Sequence, residues 1–167
     1  MKTTTQNIKI VKYKSTEKQE LLRLLLDLHG TYFQTIAPPE IQELQVEKDM
    51  RKAYERYIFF AENNKTSWHI LLAKTPGKLA VGFIIGSIET DNTLEISRIG
   101  KCEDWYVEPE YRGSGIGMKL YNELEKWLIK KGCKRVHSET WQGNELSINA
   151  HLRSGFFISG VTFSKKL

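Results

Sequence analysis

Three glycines and an arginine occupy four of the six positions in the stretch RGSGIG, residues 112–117, directly before an amphipathic helical pattern. A helix N-terminus carries unpaired backbone N–H groups and partial positive charge, and glycines let an anion approach that backbone closely. The guanidinium of Arg112 adds a planar donor that matches phosphate oxygens. We therefore predict a phosphate or pyrophosphate site formed by Arg112, Gly113, Ser114, Gly115, Ile116 and Gly117.

Two established phosphate motifs do not fit this stretch. A P-loop requires a lysine followed by serine or threonine after its glycines, and the sequence has no such pair here. The Rossmann fingerprint G-x-G-x-x-G requires a third glycine where this chain has Met118. A glycine turn without a ligand is the structural alternative. The arginine, the strand pattern before it and the helix pattern after it favour a ligand site.

The stretch YVEPEYRGSGIGMKL resembles the acetyl-CoA signature R/Q-x-x-G-x-G/A of the GNAT superfamily of N-acyltransferases. Arg112, Gly115 and Gly117 fill its three fixed places. A second family pattern, N-x-x-A-x-x-x-Y-x-x-x-G-F, corresponds here to Asn144, Ser147, His151, Gly155 and Phe156. The two motifs and the order of elements cover the chain from about Trp68 onward, whereas the first sixty or so residues fit only in having a strand and two helices.

The resemblance implies acetyl-CoA as cosubstrate and no metal. It implies that the pyrophosphate binds to backbone N–H groups of residues 112–117, and that Asn144 holds the pantetheine arm from the second side. The amides of that arm are expected to pair with backbone groups of Trp105, Tyr106 and Val107 on one strand of a splayed parallel pair. For the rings of Trp105 and Tyr106 we favour ordinary packing.

The family's general acid is often a tyrosine, and His151 stands at that place in this sequence. The implied reaction is direct attack of an amine on the thioester, which leaves a thiolate that needs a proton. An imidazole, with an ordinary pKa near 6.5, suits proton transfer at neutral pH. We therefore predict that His151 is catalytic, with a structural histidine on a helix as the alternative.

A carboxylate is the expected base for the amine. Glu103 and Asp104 alternate on one predicted strand, and Glu103 is chosen because simple alternation places it on the face of Trp105 and Val107. A β-bulge in this strand would reverse that choice. Glu139, on the neighbouring strand, is a third candidate. A surface or ion-pair role is equally open for each carboxylate.

The acceptor is predicted only as a primary amine of a small molecule or a protein. The second motif, with FSKK near the C-terminus, is similar to some aminoglycoside 6'-N-acetyltransferases, and this gives a narrower alternative. A non-catalytic acetyl-CoA-binding module is the alternative from another class. The family builds its acceptor site largely from the N-terminal helices and their loop, which corresponds here to about residues 28–43.

Composition restricts the class of protein. The 167 residues favour one domain, an N-acetyltransferase domain over 1–167, with a formal net charge of +5 and a pI near 9.1. The basic residues are scattered without an aromatic stripe, so nucleic-acid binding is not expected. Two unpaired cysteines, no signal-peptide pattern and no apolar run of membrane length predict a cytoplasmic protein without a membrane partner. A homodimer through the closing strand segment is left open.

The elements that position these residues follow a β-α-α-β-β-β-α-β-α-β order. Two strands joined by a helix are expected to be parallel neighbours. The fold class is therefore α/β (α+β), a GNAT-like mixed and largely antiparallel sheet with one splayed parallel pair and about four helices. The pattern predicts strands at 7–13, 68–74, 79–90, 99–107 and 133–141, helices at about 15–30, 40–63, 116–132 and 144–154, and one or two closing strands after residue 155.

Overall fold

The computed structural model describes residues 7–43, 49–90, 93 and 98–165. Its strands are β1 (Lys9–Lys12), β2 (Trp68–Lys74), β3 (Ala80–Thr90), β4 (Arg98–Val107) and β5 (Arg135–Ser138). Its helices are α1 (Lys18–Leu28), α2 (Gln34–Ile36), α3 (Pro39–Gln42), α4 (Met50–Asn63), α5 (Ile116–Lys130) and α6 (Glu145–Arg153). Short 3-10 turns precede α1 and the glycine loop, and a π-helical turn, His29–Phe33, follows α1.

One five-stranded sheet, in the order β1-β2-β3-β4-β5, organises the chain. The first four strands pair antiparallel in succession, and β4 pairs parallel with β5. The parallel pairing stops at Cys102 opposite Ser138, although β4 continues to Val107. The two strands therefore separate beyond that pair, which confirms the predicted mixed sheet with one splayed parallel pair.

The two faces of the sheet are covered by different helices. On one face α5 buries Ile116, Leu120 and Leu124 against β3 and β4. On the other face α1 and α4 bury leucines and Ile58 against Phe83 and the rest of the second cluster. Residues of β4 alternate between these two environments, so the strand carries side chains to both sides of the sheet.

The N-terminal helices depart from the prediction. A single helix over 40–63 is wrong: α3 ends at Gln42, and α4 begins at Met50 after Asp49, whose side chain accepts a hydrogen bond from the Lys52 N–H at 3.2 Å. Residues 44–48 lie outside the described residues. The predicted stop at Gly30 is also wrong, because helical backbone continues through the π turn to Ile36. It ends before Pro38, where the residue ahead of a proline avoids the α region.

The C-terminal strands are shorter than predicted. Strand β5 covers four residues rather than 133–141, because Cys133 belongs to the end of α5 through its N–H bond to Leu128 and because pairing stops at Ser138. The described residues 156–165 form no strand, so the predicted closing strands are wrong there. Beyond the half-buried Phe156, their large apolar side chains, including Phe157 and Phe163, are exposed.

Within the described parts of the chain, none of the helices combines the length and the apolar composition needed to cross a bilayer.

Candidate active site

The glycine loop meets α5 at a left-handed backbone. Gly113 and Gly115 have φ values of +75° and +80°, a region that residues with a side chain rarely adopt. A Cβ at either position would have no protein atom within 4 Å, so the space beside this backbone is open. The first N–H of α5 that bonds backward, among the described residues, is that of Lys119 to the Gly115 carbonyl at 3.0 Å. The N–H groups before it form the predicted anion site.

Gly117 has a different neighbour from the other two glycines. It lies in the first turn of α5, and a Cβ there would approach the indole of Trp105 at 3.4 Å. The small residue therefore lets the helix start lie close to β4. Ile116, beside it, is buried in the core below α5.

The side chain of Arg112 is engaged inside the protein. Its Nε donates to the carbonyl of Val107 at 2.8 Å, and its guanidinium carbon lies 5.5 and 5.6 Å from the ring centres of Tyr32 and Tyr106. These contacts tie the end of β4 to the π turn after α1. The guanidinium is thus held by two tyrosines and a carbonyl, and its Nη2 is buried without a hydrogen-bond partner among the described residues.

The open gap beyond the last parallel pair is lined by the end of β4. Trp105 turns to the α5 face, where it stacks on Tyr121 at 5.5 Å, and Tyr106 turns to the other face, near Phe83 at 6.1 Å. Both rings therefore pack in the protein, as favoured from the sequence. The backbone of residues 105–107 on the β5 side has no strand partner among the described residues, and this is the edge expected to pair with an added chain.

Asn144 lies on the opposite side of the gap as the N-cap of α6. Its Oδ1 accepts a hydrogen bond from the Ser147 N–H at 3.1 Å, and the residue is buried. The side chain therefore stabilises the start of the helix that carries His151.

The imidazole of His151 is fixed between a carbonyl, a hydroxyl and two rings. Its Nδ1 lies 2.7 Å from the Ser147 carbonyl, and its Nε2 lies 2.8 Å from Ser138 Oγ. Trp105 and Phe156 meet the ring edge-on at 5.5 and 5.0 Å. The histidine thus reaches from α6 to the point where β4 and β5 separate.

The two strand carboxylates do not alternate as predicted. In the pairing of β3 with β4, Ile85 faces Asp104 and Gly86 faces Cys102, which leaves Glu103 as the extra residue of a β-bulge. Glu103 accepts a short hydrogen bond from Ser87 Oγ, and Asp104 Oδ2 accepts one from the Tyr57 hydroxyl at 2.7 Å. Both carboxylates therefore lie on the α4 face, and the placement of Glu103 with Trp105 is wrong because the bulge interrupts the alternation.

The pKa of Asp104, one of these two carboxylates, is shifted by its surroundings. Removal from water, with a smaller contribution from the charge of Glu103, raises the pKa of Asp104 to about 6, although the Tyr57 hydrogen bond opposes the shift. The pKa of Tyr54 is raised to about 12 by burial and by the negative charge of Asp104. A carboxylate with a pKa near 6 can take up a proton close to neutral pH.

Aromatic side chains of the π turn connect with Tyr54, whose hydroxyl senses the charge of Asp104. Phe33 stacks on His29 at 5.1 Å and meets Trp141 edge-on at 6.2 Å, while His29 meets Tyr54 of α4 at 6.1 Å. The turn therefore bridges α4 and the segment that follows β5. The sequence placed the acceptor region at residues 28–43, but nothing in it pointed to Tyr57, Ser138 or Trp141.

Glu139 is exposed just after β5, and together with Glu103 it contributes to raising the pKa of Lys101, whose largest cause is the hydrogen bond to Glu89. Among the described residues, no cluster of three or more histidine, cysteine or acidic side chains could hold a metal ion.

The chain belongs to the acetyltransferase (GNAT) family, whose model matches residues 23–156. This confirms the family predicted from the two motifs. Aminoglycoside N(6')-acetyltransferases type 1 of Klebsiella aerogenes and Stenotrophomonas maltophilia are 34% and 32% identical to it over 88 and 89 residues. Each match covers 52% of this chain and 58% of the relative, so it spans little more than half of either protein.

Solved structures extend the likeness to nearly the whole fold. The aminoglycoside acetyltransferase AAC(6')-Iy, solved with a bisubstrate analogue of CoA and acetylneamine, superposes with a TM-score of 0.72 at 22% identity and covers 97% of this chain and 99% of its own. Glucosamine-6-phosphate N-acetyltransferase from Arabidopsis thaliana superposes at 0.69 with 18% identity over 96% of this chain and 99% of its own. At such identities the likeness concerns the fold.

Proposed function

We propose that this protein is an N-acetyltransferase that moves an acetyl group from acetyl-CoA to a primary amine of a cationic small molecule. The observation that carries the proposal is the separation of β4 from β5 beyond Cys102 and Ser138, between an open glycine loop and the carboxylates of Glu103 and Asp104. An acetyl donor and an amine can approach this point from opposite sides. Relatives named as acetyltransferases support the reaction class.

Acetyl-CoA supplies the activated acetyl group in this proposal. Backbone N–H groups of Gly113, Ser114, Gly115, Ile116 and Gly117 hold its pyrophosphate, while the N–H of Arg112 donates to the Pro109 carbonyl at 3.2 Å. The edge of Trp105, Tyr106 and Val107 pairs with its pantetheine arm through backbone groups other than the Val107 carbonyl, which accepts a hydrogen bond from Arg112. Asn144 borders the arm from the α6 side. The open space beside Gly113 and Gly115 fits this assignment, because a ligand can meet the backbone there without displacing a side chain.

The acidic pair serves the acceptor. We assign Asp104 as the proton acceptor, because its pKa of about 6 lets it be ionised at neutral pH and still take up a proton. Glu103 is exposed beside it and attracts the cationic amine. Glu103 as the base, the choice made from sequence, is the alternative that comparison of Glu103→Gln with Asp104→Asn decides.

His151 supplies the proton that the leaving sulfur requires. Its position at the point where β4 and β5 separate matches that role, since the thioester of a ligand paired with residues 105–107 ends near this point. The aromatic contacts of Trp105 and Phe156 hold the ring in one orientation, which lowers the cost of organising it in the reaction.

The acceptor side favours a cation with a flat or ring-shaped body. Two neighbouring carboxylates attract positive charge, Tyr54 lies within electrostatic range of Asp104, and the rings of Phe33 and Trp141 extend this aromatic surface through His29. Similarity to aminoglycoside N(6')-acetyltransferases supports an amino sugar as the narrower candidate. A protein amine and a non-catalytic acetyl-CoA-binding module are the remaining alternatives.

An assay of CoA release with a panel of amines tests the proposal. The panel contains an aminoglycoside with a 6'-amine, the same compound without that amine, a linear polyamine and a peptide with a free N-terminus. We expect acetyl transfer to the amino sugar and no transfer to its analogue without the amine. Tight binding of acetyl-CoA without transfer to any amine would instead support the binding module.

The remaining expectations concern the cellular setting. We keep the single domain, a cytoplasmic location and the lack of a nucleic-acid partner as predictions, and a homodimer stays open. The exposed apolar side chains at residues 157–163 make the oligomeric state worth measuring by sedimentation.

A further inference from the structure

Ser138 stands at the position where the parallel strands separate. It is the last residue of β5, and it faces Cys102 in the last pair of the β4–β5 ladder. Its Oγ lies 2.8 Å from His151 Nε2 and 3.1 Å from the Cys102 carbonyl. This hydroxyl therefore lies between the histidine and the opening of the gap.

Hydrogen counting fixes the tautomer of His151. The Ser147 carbonyl can only accept, and it lies 2.7 Å from Nδ1, so Nδ1 carries a hydrogen in both the neutral and the charged ring. The proton that can come and go is therefore the one on Nε2. That nitrogen faces Ser138 Oγ.

The Ser138 hydroxyl has one hydrogen and two acceptors within reach. When His151 is neutral, the hydroxyl donates to Nε2. When His151 is charged, Nε2–H donates to Oγ, and the hydroxyl hydrogen is released to point at the Cys102 carbonyl. Protonation of the histidine thus turns the hydroxyl from a donor toward the ring into a donor toward β4, at the last pair before the strands separate.

Both ring nitrogens of His151 are occupied by protein atoms. Nδ1 is bonded to Ser147 and Nε2 to Ser138, while the ring edges meet Trp105 and Phe156. A sulfur atom in the gap can therefore receive the histidine proton only by way of the serine, unless the ring leaves this position.

We propose that Ser138 is the immediate proton donor to the leaving sulfur and that His151 acts through it, an inference that rests on the proposed acetyltransferase function. As the amine nitrogen bonds to the acetyl carbon and the carbon–sulfur bond breaks, the Ser138 O–H proton passes to sulfur. The Nε2–H proton of His151 then passes to Ser138 Oγ, which leaves His151 neutral. The attacking amine is in its neutral form, having first lost its extra proton to solvent, and the proton that its nitrogen loses on attack goes to Asp104. The step therefore converts the His151 imidazolium and the Asp104 carboxylate into their neutral forms.

A merely structural role makes a different prediction. The bond from Ser138 to the Cys102 carbonyl also fastens β5 to β4, and loss of that bond alone would change stability and ligand binding before it changed the chemical step. Ser138→Thr keeps the hydroxyl and Ser138→Ala removes it, which makes these two a matched pair.

Kinetics of Ser138→Ala, Ser138→Thr, His151→Phe and the double variant of Ser138→Ala with His151→Phe test the relay. We expect kcat to fall on the order of 100-fold in Ser138→Ala and His151→Phe, with KM for acetyl-CoA nearly unchanged. The double variant should lose little more than either single variant, because both act in one pathway. Ser138→Thr should keep most of the activity. Full activity of Ser138→Ala, or equal losses in the Ala and Thr variants, would overturn the proposal.

A second measurement uses the protein without substrate. Nuclear magnetic resonance of isotope-labelled histidine should show Nδ1 of His151 protonated and an Nε2 signal that moves in Ser138→Ala, while the signals of His29, His69 and His137 stay in place. An unmoved Nε2 signal would contradict the bond on which the relay depends. If wild type transfers no acetyl group, the relay fails together with the proposed function, and a moved Nε2 signal would then mark the bond as structural only.

Discussion

The donor side and the acceptor side of the gap are built in different ways. The donor side is formed by consecutive residues, 112–117, whose left-handed glycines and helix start follow from local chemistry. The proposed acceptor side combines Asp104 of β4, bonded to Tyr57 of α4, with Trp141 after β5, which is connected to α4 only through the rings of the π turn.

This difference explains why the cofactor could be predicted from sequence and the acceptor could not. A backbone site for an anion needs a few glycines at fixed spacing, and their substitution by other residues is restricted by φ. A pocket made of side chains from separate elements leaves no spacing to recognise. We therefore predict that substitutions on the donor side alter the affinity for acetyl-CoA, whereas substitutions on the acceptor side alter kcat or KM for the amine.

The largest effect is expected from Asp104→Asn. Loss of the proton acceptor should lower kcat on the order of 100-fold, with KM for acetyl-CoA nearly unchanged. In wild type, kcat/KM should fall as the pH drops below about 6, because protonated Asp104 cannot accept a proton. That limb should disappear in the variant. Rate measurements between pH 5 and 8, roughly the range over which a group with that pKa titrates, check both points.

Two comparisons make the Asp104 result specific. Glu103→Gln should raise KM for the amine more than it lowers kcat, and Glu123→Gln, at an exposed carboxylate on α5, should change neither. If Glu103→Gln removes the acidic limb and Asp104→Asn does not, Glu103 is the base.

The same pKa shift predicts the pH dependence of stability. Asp104 binds its proton more tightly in the folded protein, where its pKa is about 6 against an ordinary value of 3.8. Its ionisation therefore opposes folding. Its contribution to the free energy of unfolding should fall by up to about 3 kcal/mol as the pH rises between these values. Asp104→Asn should flatten this part of the curve. Denaturant unfolding at several pH values measures this. Free energies of unfolding that change in parallel with pH in wild type and Asp104→Asn would contradict the raised pKa of Asp104.

A moderate effect is expected from the aromatic contact between Phe33 and Trp141. Either substitution by alanine should raise KM for the amine about 2- to 10-fold, since such ring pairs contribute roughly 0.5–1.5 kcal/mol beyond burial. The double variant should show coupling between the two. Phe59→Ala, at an exposed phenylalanine of α4, is the control. A rise in KM for acetyl-CoA instead would place these rings on the donor side.

The smallest effect on the reaction is expected from Arg112→Met. The side chain bonds Val107 and lies over two tyrosines, so its loss should lower stability by about 1–2 kcal/mol while acetyl-CoA affinity changes less than about 3-fold. Arg98→Met removes an exposed bond to the Lys131 carbonyl and serves as the matched control. A large loss of affinity at unchanged melting temperature would show that the guanidinium binds phosphate.

Sequence periodicity predicted most of the sheet and the helices α1, α5 and α6, because their buried residues recur at regular spacing. The prediction from periodicity failed where one extra residue in a strand interrupts the alternation of its side chains between the two faces of the sheet. The bulge at Glu103 carries both carboxylates to one face, and no residue type marks that insertion in advance. The sequence also gave no signal for Ser138, because its proposed role depends on contact with His151, thirteen positions away on α6.

Calorimetric titration of acetyl-CoA into wild type, Gly115→Ala and Gly132→Ala tests the central claim most directly. Both glycines have left-handed backbones, with φ of +80° and +83°, at opposite ends of α5, so both variants should lose similar stability, roughly 1–2 kcal/mol. We predict that only Gly115→Ala weakens acetyl-CoA binding, by about 10-fold or more, which corresponds to about 1.4 kcal/mol of binding free energy. Equal affinity in all three proteins would contradict the proposal that acetyl-CoA binds at the glycine loop.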